Sequence, residues 1–254
     1  MYFQFTRPMM QVDLLQEMKT RTIDLGQNHF MEDSLSFIQD TYYPEREAGR
    51  EVLTFIGPKE WSYICMDKEE SERILSTKSM HRHNFYELMY VAEGSIYQNI
   101  EDTRHIYPKG SCCLMNMNIR HLEEFDEYCR VIFLEFTQEY ILSVLRFPSI
   151  FTGENSTEYE MMRKFFLHEL NKEEVAQRAY IDFIPEKETE EIHTYLDIIA
   201  TVMQEKSVTS NFQIAGAITG MLTALFDSNA YTNIPVALGN ASERELFDRI
   251  TDYI

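Results

Sequence analysis

The stretch His81-Arg82-His83-Asn84-Phe85-Tyr86-Glu87 sets two histidines at i and i+2 and a glutamate four residues after the second. Alternate side chains of an extended strand share a face. His81, His83 and Glu87 therefore fall in one row and present two imidazoles and a carboxylate to one point, the ligand types of first-row divalent metals. Gly94 completes the spacing His-x-His-x(3)-Glu-x(6)-Gly without a gap. Beyond a turn at Pro108-Lys109-Gly110, Ser111 to Met115 read as a strand leading through Asn116 and Asn118 to a third imidazole, His121. His81, His83, Glu87 and His121 form a complete metal-binding set for iron, manganese, nickel or zinc. In the competing reading the same four side chains, with Tyr97, line a small-molecule pocket and no cofactor is held. Phe85, Tyr86 and Tyr90 are further aromatics that either stack on a sugar-like or aromatic effector or belong to the core. Alternation turns Arg82 and Arg120 away from the histidine face.

The spacing over residues 81–94, with His121 behind it, resembles the two signatures of the cupin β-barrel family. Asn116 and Asn118 stand where the family has proline and glycine, Phe125 replaces its closing asparagine, and Leu75 occupies the place of an expected glycine. Asparagine tolerates the left-handed backbone that glycine supplies, so the turn survives these replacements. Within the cupins, the wording His-x-His-x-Phe-Tyr-Glu-Leu-x-Tyr-Val-x-x-Gly resembles the sensor half of AraC-type transcription regulators, most firmly over residues 81–136. That resemblance implies a barrel that binds an organic effector, a helical dimerisation segment after it, and DNA contact through a C-terminal helix-turn-helix domain. The last part is absent from these residues. They stop inside a helix read from Ser242 as N-cap and Glu243 and Glu245 in the first turn, so the expectation is a truncated regulator.

Composition fits this reading. A chain of 254 residues that is 44% hydrophobic can bury one good core or two modest ones. No apolar run approaches the roughly 18 to 20 residues that cross a bilayer, and the first residues lack the order of a signal peptide. The expectation is a cytoplasmic protein with no membrane contact. A net charge of −19 opposes nucleic-acid contact by this segment. Cys65, Cys112, Cys113 and Cys129 show no C-x-x-C pair and read as reduced thiols, with the neighbours Cys112 and Cys113 pointing to opposite faces of one strand.

The architecture read from the chain is α+β. Residues 1–50 form an N-terminal helical segment with amphipathic pieces at 9–25 and 28–38. Residues 51–137 form an antiparallel barrel of seven or more short strands. Residues 138–254 form a helical dimerisation and linker region, interrupted by an extended piece at 179–185. Ile192, Tyr195, Leu196, Ile199, Val202 and Met203 make one helical ridge, and Ile214, Ala217, Ile218, Met221, Leu222 and Leu225 another. A core this small cannot bury both, which leaves apolar helix surface for a homodimer.

Two functions survive. One is the effector-sensing and dimerising part of a regulator, with no catalysis. The other is a stand-alone metal-dependent cupin enzyme, an isomerase or dioxygenase, for which about 115 residues of chain after the barrel are superfluous. No G-x-S-x-G, phosphate-binding loop or dinucleotide fingerprint occurs.

Overall fold

The computed structural model of the chain describes residues 28–29, 31, 33–57, 61–145, 157–167, 178–188 and 190–238. The helix expected over 9–25 and the one expected from Ser242 lie outside the described residues. Ten strands form the main antiparallel sheet. Strand β2 (Leu35–Tyr42) pairs with β3 (Glu51–Ile56), which pairs with β4 (Trp61–Met66). On its other side β2 meets β10 (Cys129–Phe136), and β10 meets the long β6 (Tyr86–Ile100). The sheet continues through β8 (Cys112–Met115) and β11 (Arg178–Pro185) to an edge strand, β12 (Tyr231–Leu238). Strands β7 (Thr103–Pro108) and β9 (His121–Glu124) pair with the far half of β6 and curl the sheet over itself. A two-residue parallel pair, β1 (Asn28–His29) with β5 (Arg82–His83), lies beside it.

This is the α+β, cupin-like architecture read from the sequence. One expected element differs. Within 28–38, residues 28–29 and 35–38 lie in strands, not a helix, because β2 sits between β10 and β3 and buries Leu35 and Phe37 at 4% and 2% exposure. Pairing on both edges outweighs a local helical pattern. The sheet also draws β2 from before residue 51 and β11 and β12 from after residue 137, so it reaches past both ends of the stretch assigned to the barrel. Pro235 is tolerated in β12 because an edge strand leaves one side unpaired.

Strand β6 carries the logic of the fold. Its even residues Leu88 and Tyr90 pack with the helices, and its odd residues Met89 and Val91 face the barrel interior. The same alternation sends Cys112 to the helices and Cys113 into the barrel, on opposite faces as expected. Opposite consecutive Arg130 and Val131, the β6 partners step from Glu93 to Val91, a bulge that adds one residue to β6. Beyond it the phase reverses, and Ile96 and Ile100 point inward. Gly94 follows at once with φ +72°, packed so tightly on Tyr128 that an added Cβ would lie 1.9 Å from its carbonyl oxygen.

Helix α1 (Lys68–Thr77) starts at a capping box in which Asp67 accepts from the Glu70 amide at 2.9 Å and Glu70 accepts from the Asp67 amide at 3.2 Å. Helices α2 (Gln138–Leu145), α3 (Thr157–Phe166), α4 (Glu191–Glu205) and α5 (Ser210–Phe226) cover the even-residue face. Both expected ridges are buried there, with Ile192, Leu196, Ile199, Ile218, Met221, Leu222 and Leu225 fully inside, so the expectation that the core cannot bury both is not met: the even-residue face of the sheet together with four helices gives them enough cover. Among the described residues, no helix is long and apolar enough to cross a membrane.

Candidate functional site

The barrel chamber is built where β5, the start of β6 and β9 meet. His81 and His121 are joined by reciprocal backbone hydrogen bonds, each amide donating to the other's carbonyl at 2.9 Å. The His83 carbonyl accepts from the Asn118 amide at 2.8 Å. Asn118 has φ +68°, so the asparagine standing in the family's glycine position does adopt the left-handed turn. Asn116, at the proline position, accepts from the Ala179 amide through its side chain at 2.8 Å and ties the turn to β11. Phe125 stacks on Tyr42 with ring centroids 5.5 Å apart and closes the chamber's apolar end.

Four of the five expected site residues converge. His83, Glu87 and His121 are buried at 2%, 4% and 0% exposure, and His81 is half-buried. His83 Nε2 lies 3.4 Å from Glu87 Oε2, and His121 Nε2 lies 3.6 Å from Glu87 Oε1. The facing atoms of His81, His83 and His121 lie within 4.8 Å of one another. The fifth residue, Tyr97, is not with them. It lies beyond the bulge, where odd residues face outward, and the Arg104 guanidinium sits 3.8 Å over its ring. Tyr86 and Tyr90 also leave the chamber. They are buried against the helices, with the Tyr86 hydroxyl donating to the Phe166 carbonyl at 3.2 Å. Phe85 stays, stacked on His83 at 4.2 Å between centroids.

Two carboxylates that sequence reasoning missed complete the chamber. Glu123 Oε1 is 3.5 Å from His121 Nε2 and accepts from Gln98 Nε2 at 3.2 Å. Glu135 lies beside Glu87 in the sheet register and accepts from the Ser36 hydroxyl. Alternation contained the signal for Glu123, two residues from His121 on a strand, but β9 itself was not read from the sequence.

The imidazoles of His83 and His121 are each held in one tautomer. A backbone carbonyl only accepts, so His83 Nδ1 donates to the Phe85 carbonyl at 3.2 Å and His121 Nδ1 donates to that of Ile119 at 3.1 Å. Both Nε2 atoms then face the chamber, and neither has a hydrogen-bond partner; nor has Glu87 Oε1. Burial lowers the His83 pKa and favours the neutral ring. Burial pushes Glu87 up to about 7, against the pull of His121. It pushes Glu135 up to about 7 as well, helped by neighbouring Glu87. Glu123 is held down at about 2, since His121, His81 and Lys78 outweigh its burial. Buried polar atoms left unpartnered are costly, and acceptors converging on one point call for a cation or proton among them. The residues present therefore fit a divalent metal ion.

An antiparallel sheet curled around a buried cluster of imidazoles and carboxylates is a cupin-like arrangement. Residues 72–177 match the family model described as the AraC-like ligand binding domain. No curated protein matches the chain. Among solved structures it is similar to the EutQ protein of Clostridium difficile, at 19% identity over 21% of this chain and 39% of that one, with a TM-score of 0.20. It is similar to an RmlC-like cupin family protein with a double-stranded β-helix fold from Methanocaldococcus jannaschii, at 14% identity over 41% of this chain and 85% of that one, TM-score 0.24. It is also similar to unsaturated-fatty-acid-bound ToxT from Vibrio cholerae, at 13% identity over 77% of this chain, TM-score 0.37. The chain spans 39% of the EutQ chain and 58% of the ToxT chain.

Proposed function

We propose that this chain is the effector-sensing and dimerising portion of an AraC-type transcriptional regulator acting in the cytoplasm. The observation that carries the reading is the AraC-like ligand-binding match over the residues that build a buried polar chamber. Strand β6 supports a route for the signal, because its chamber face carries Glu87 and its other face lies under the helices through Leu88 and Tyr90. An effector that favours one arrangement of barrel against helices by about 1 to 3 kcal/mol suffices to couple them. DNA contact belongs to a C-terminal helix-turn-helix domain outside these residues, in keeping with the net charge of −19.

A thermal-shift panel of sugars, organic acids and divalent ions tests the sensing role. A ligand at 100 times its Kd adds about 2.7 kcal/mol, so a true effector raises the melting midpoint by several degrees. His83→Ala is expected to abolish that rise and leave the oligomeric state unchanged. Loss of folding in the variant would reassign His83 to structure.

Homodimerisation through the helices is supported by the apolar side chains they leave outside. Ile198 on α4 is 41% exposed, Phe212 on α5 is 73% exposed, and Val208 between them is 98% exposed. Sedimentation is expected to show a dimer that the Ile198→Glu, Phe212→Glu double variant converts to monomer with its circular dichroism intact. A wild-type monomer at tens of micromolar would refute this.

The second reading, a metal-dependent cupin enzyme, is favoured by the unpartnered Nε2 atoms of His83 and His121 and the Glu87 carboxylate. His81, His83, Glu87 and His121 would hold the ion, which would supply Lewis acidity or an activated water. The chain's own residues would fix the imidazole tautomers through the Phe85 and Ile119 carbonyls. Turnover that disappears in His121→Ala would establish it.

A further inference from the structure

The helix side of the sheet holds a cavity that the barrel chamber does not account for. It measures about 680 Å³, within the range of a small-molecule site, and lies where α2, the end of α4 and the start of α5 meet over β2. Its floor is Leu35, Val144, Val202, Met203 and Ile214. Each of these keeps 4 to 6% of its surface exposed, whereas Ile141, Ile199 and Ile218, one turn away on α2, α4 and α5, keep none. Protein interiors hold few voids larger than a water molecule, so the opening is particular to this corner of the core. None of the clustered imidazoles and carboxylates lines it, and Leu35 belongs to the helix-side core.

The lining specifies a class of ligand. Above the apolar floor stand one carboxylate, Asp33, and one ammonium, Lys206, so the charged groups of the lining sum to zero. A charged ligand would leave water there without a net counter-charge, which is costly. The Ser143 hydroxyl donates to the Tyr140 carbonyl at 2.6 Å, and the Ser210 hydroxyl donates to the Val202 carbonyl at 3.3 Å. Both hydroxyls have therefore given their protons to the chain and retain acceptor oxygens. Ser210 also accepts from the Ser207 amide at 2.8 Å, which leaves Ser143 the better acceptor for a ligand. A hydroxyl or N–H pairs with such an oxygen, whereas a carboxylate would set oxygen against oxygen.

We propose that this cavity is a second ligand site, separate from the barrel chamber, for an uncharged apolar molecule that carries a hydroxyl or N–H donor. Val202 and Met203 come from α4, Ile214 and Ala215 from α5, and Val144 from α2, with the exposed Phe212 ring at the mouth. A molecule seated there bears on the helix pair directly, without acting through β6.

The test is a fluorescence titration of the full 254-residue chain with N-phenyl-naphthylamine, an uncharged apolar amine with one N–H that brightens on leaving water. Saturable binding is expected, with the sulfonated analogue anilinonaphthalene sulfonate held at least about tenfold more weakly. Ser143→Trp, at an exposed position of α2, and Ala215→Phe, on α5, each put a large ring into the cavity and are expected to weaken binding at least about tenfold. Should one of them fail to fold, the one that keeps the wild-type circular dichroism decides. Ser143→Ala keeps the space, removes the acceptor and is expected to weaken binding by about two- to tenfold. Absence of saturable binding overturns the proposal, as does equal binding of the sulfonate or an unchanged affinity in a folded Ser143→Trp or Ala215→Phe variant. A fluorophore whose affinity falls in His83→Ala instead sits in the barrel and also overturns it. The sensor reading fails separately, because an empty helix-side cavity leaves a His83-dependent thermal shift untouched.

Discussion

Gly94→Ala is expected to cost more than about 4 kcal/mol in unfolding free energy, a large share of the roughly 5 to 15 kcal/mol that holds a domain folded. Two effects add. A residue with a Cβ at φ +72° costs about 1 to 2 kcal/mol in backbone strain. The added Cβ would also lie 1.9 Å from the Tyr128 carbonyl oxygen and 3.1 Å from the Cys129 Cα. Those neighbours are backbone and cannot swing aside as a side-chain tip does. Relief requires the start of β10 to move, and Cys129 and Arg130 are fixed by pairing to β6 and β2. Urea denaturation measures the loss. A cost below about 1 kcal/mol would show that the bend of β6 is not fixed by this contact.

Glu135→Gln is expected to stabilise the metal-free protein at pH 8 by about 2 to 3 kcal/mol and to have little effect at pH 5. The Glu135 carboxyl has its folded pKa raised from 4.5 to about 7, first by burial and then by neighbouring Glu87. A raised carboxyl contributes stability that is fully present below about pH 4.5 and is lost as pH rises through about 7. The displacement corresponds to about 3 kcal/mol at about 1.4 kcal/mol per unit. Glutamine stays neutral at every pH and can still accept from the Ser36 hydroxyl, as Glu135 does. Glu87, raised to about 7, follows the same sign. His83 follows the opposite one, since its folded pKa is lowered and its contribution is lost as pH falls. Because Glu135 also raises the His83 pKa and interacts with Glu87, the variant shifts these neighbours as well, and the gap at each pH reports Glu135 together with its effect on them. Denaturation at pH 5 and pH 8 with chelator present is the measurement, and an equal gap at both values would contradict the assignment.

Much of the site was legible because strand alternation is a strong constraint. The row His81, His83, Glu87 and the return of His121 are brought together as their spacing required. Tyr97 escaped that logic because one extra residue reverses which side chains face inward. Nothing in Val91-Ala92-Glu93-Gly94 announces a bulge except the glycine after it. Strand β2 was hidden for a different reason, since only pairing with distant β10 and β3 makes it a strand. Helix α1 was missed inside the stretch read as barrel strands, although Asp67-x-x-Glu70 carries a capping-box pattern. Glu123 was overlooked because β9 is four residues long and too short for a periodic pattern to emerge.

The central claim is that a ligand in the barrel chamber is felt by the helices. Hydrogen–deuterium exchange of the 254-residue chain, with and without each compound that raises its melting midpoint, tests it most directly. Binding is expected to change exchange in β6 and β9 and, together with them, in α4 and α5. Protection confined to the barrel strands for every such compound, with α4 and α5 unaffected, would contradict the sensor account.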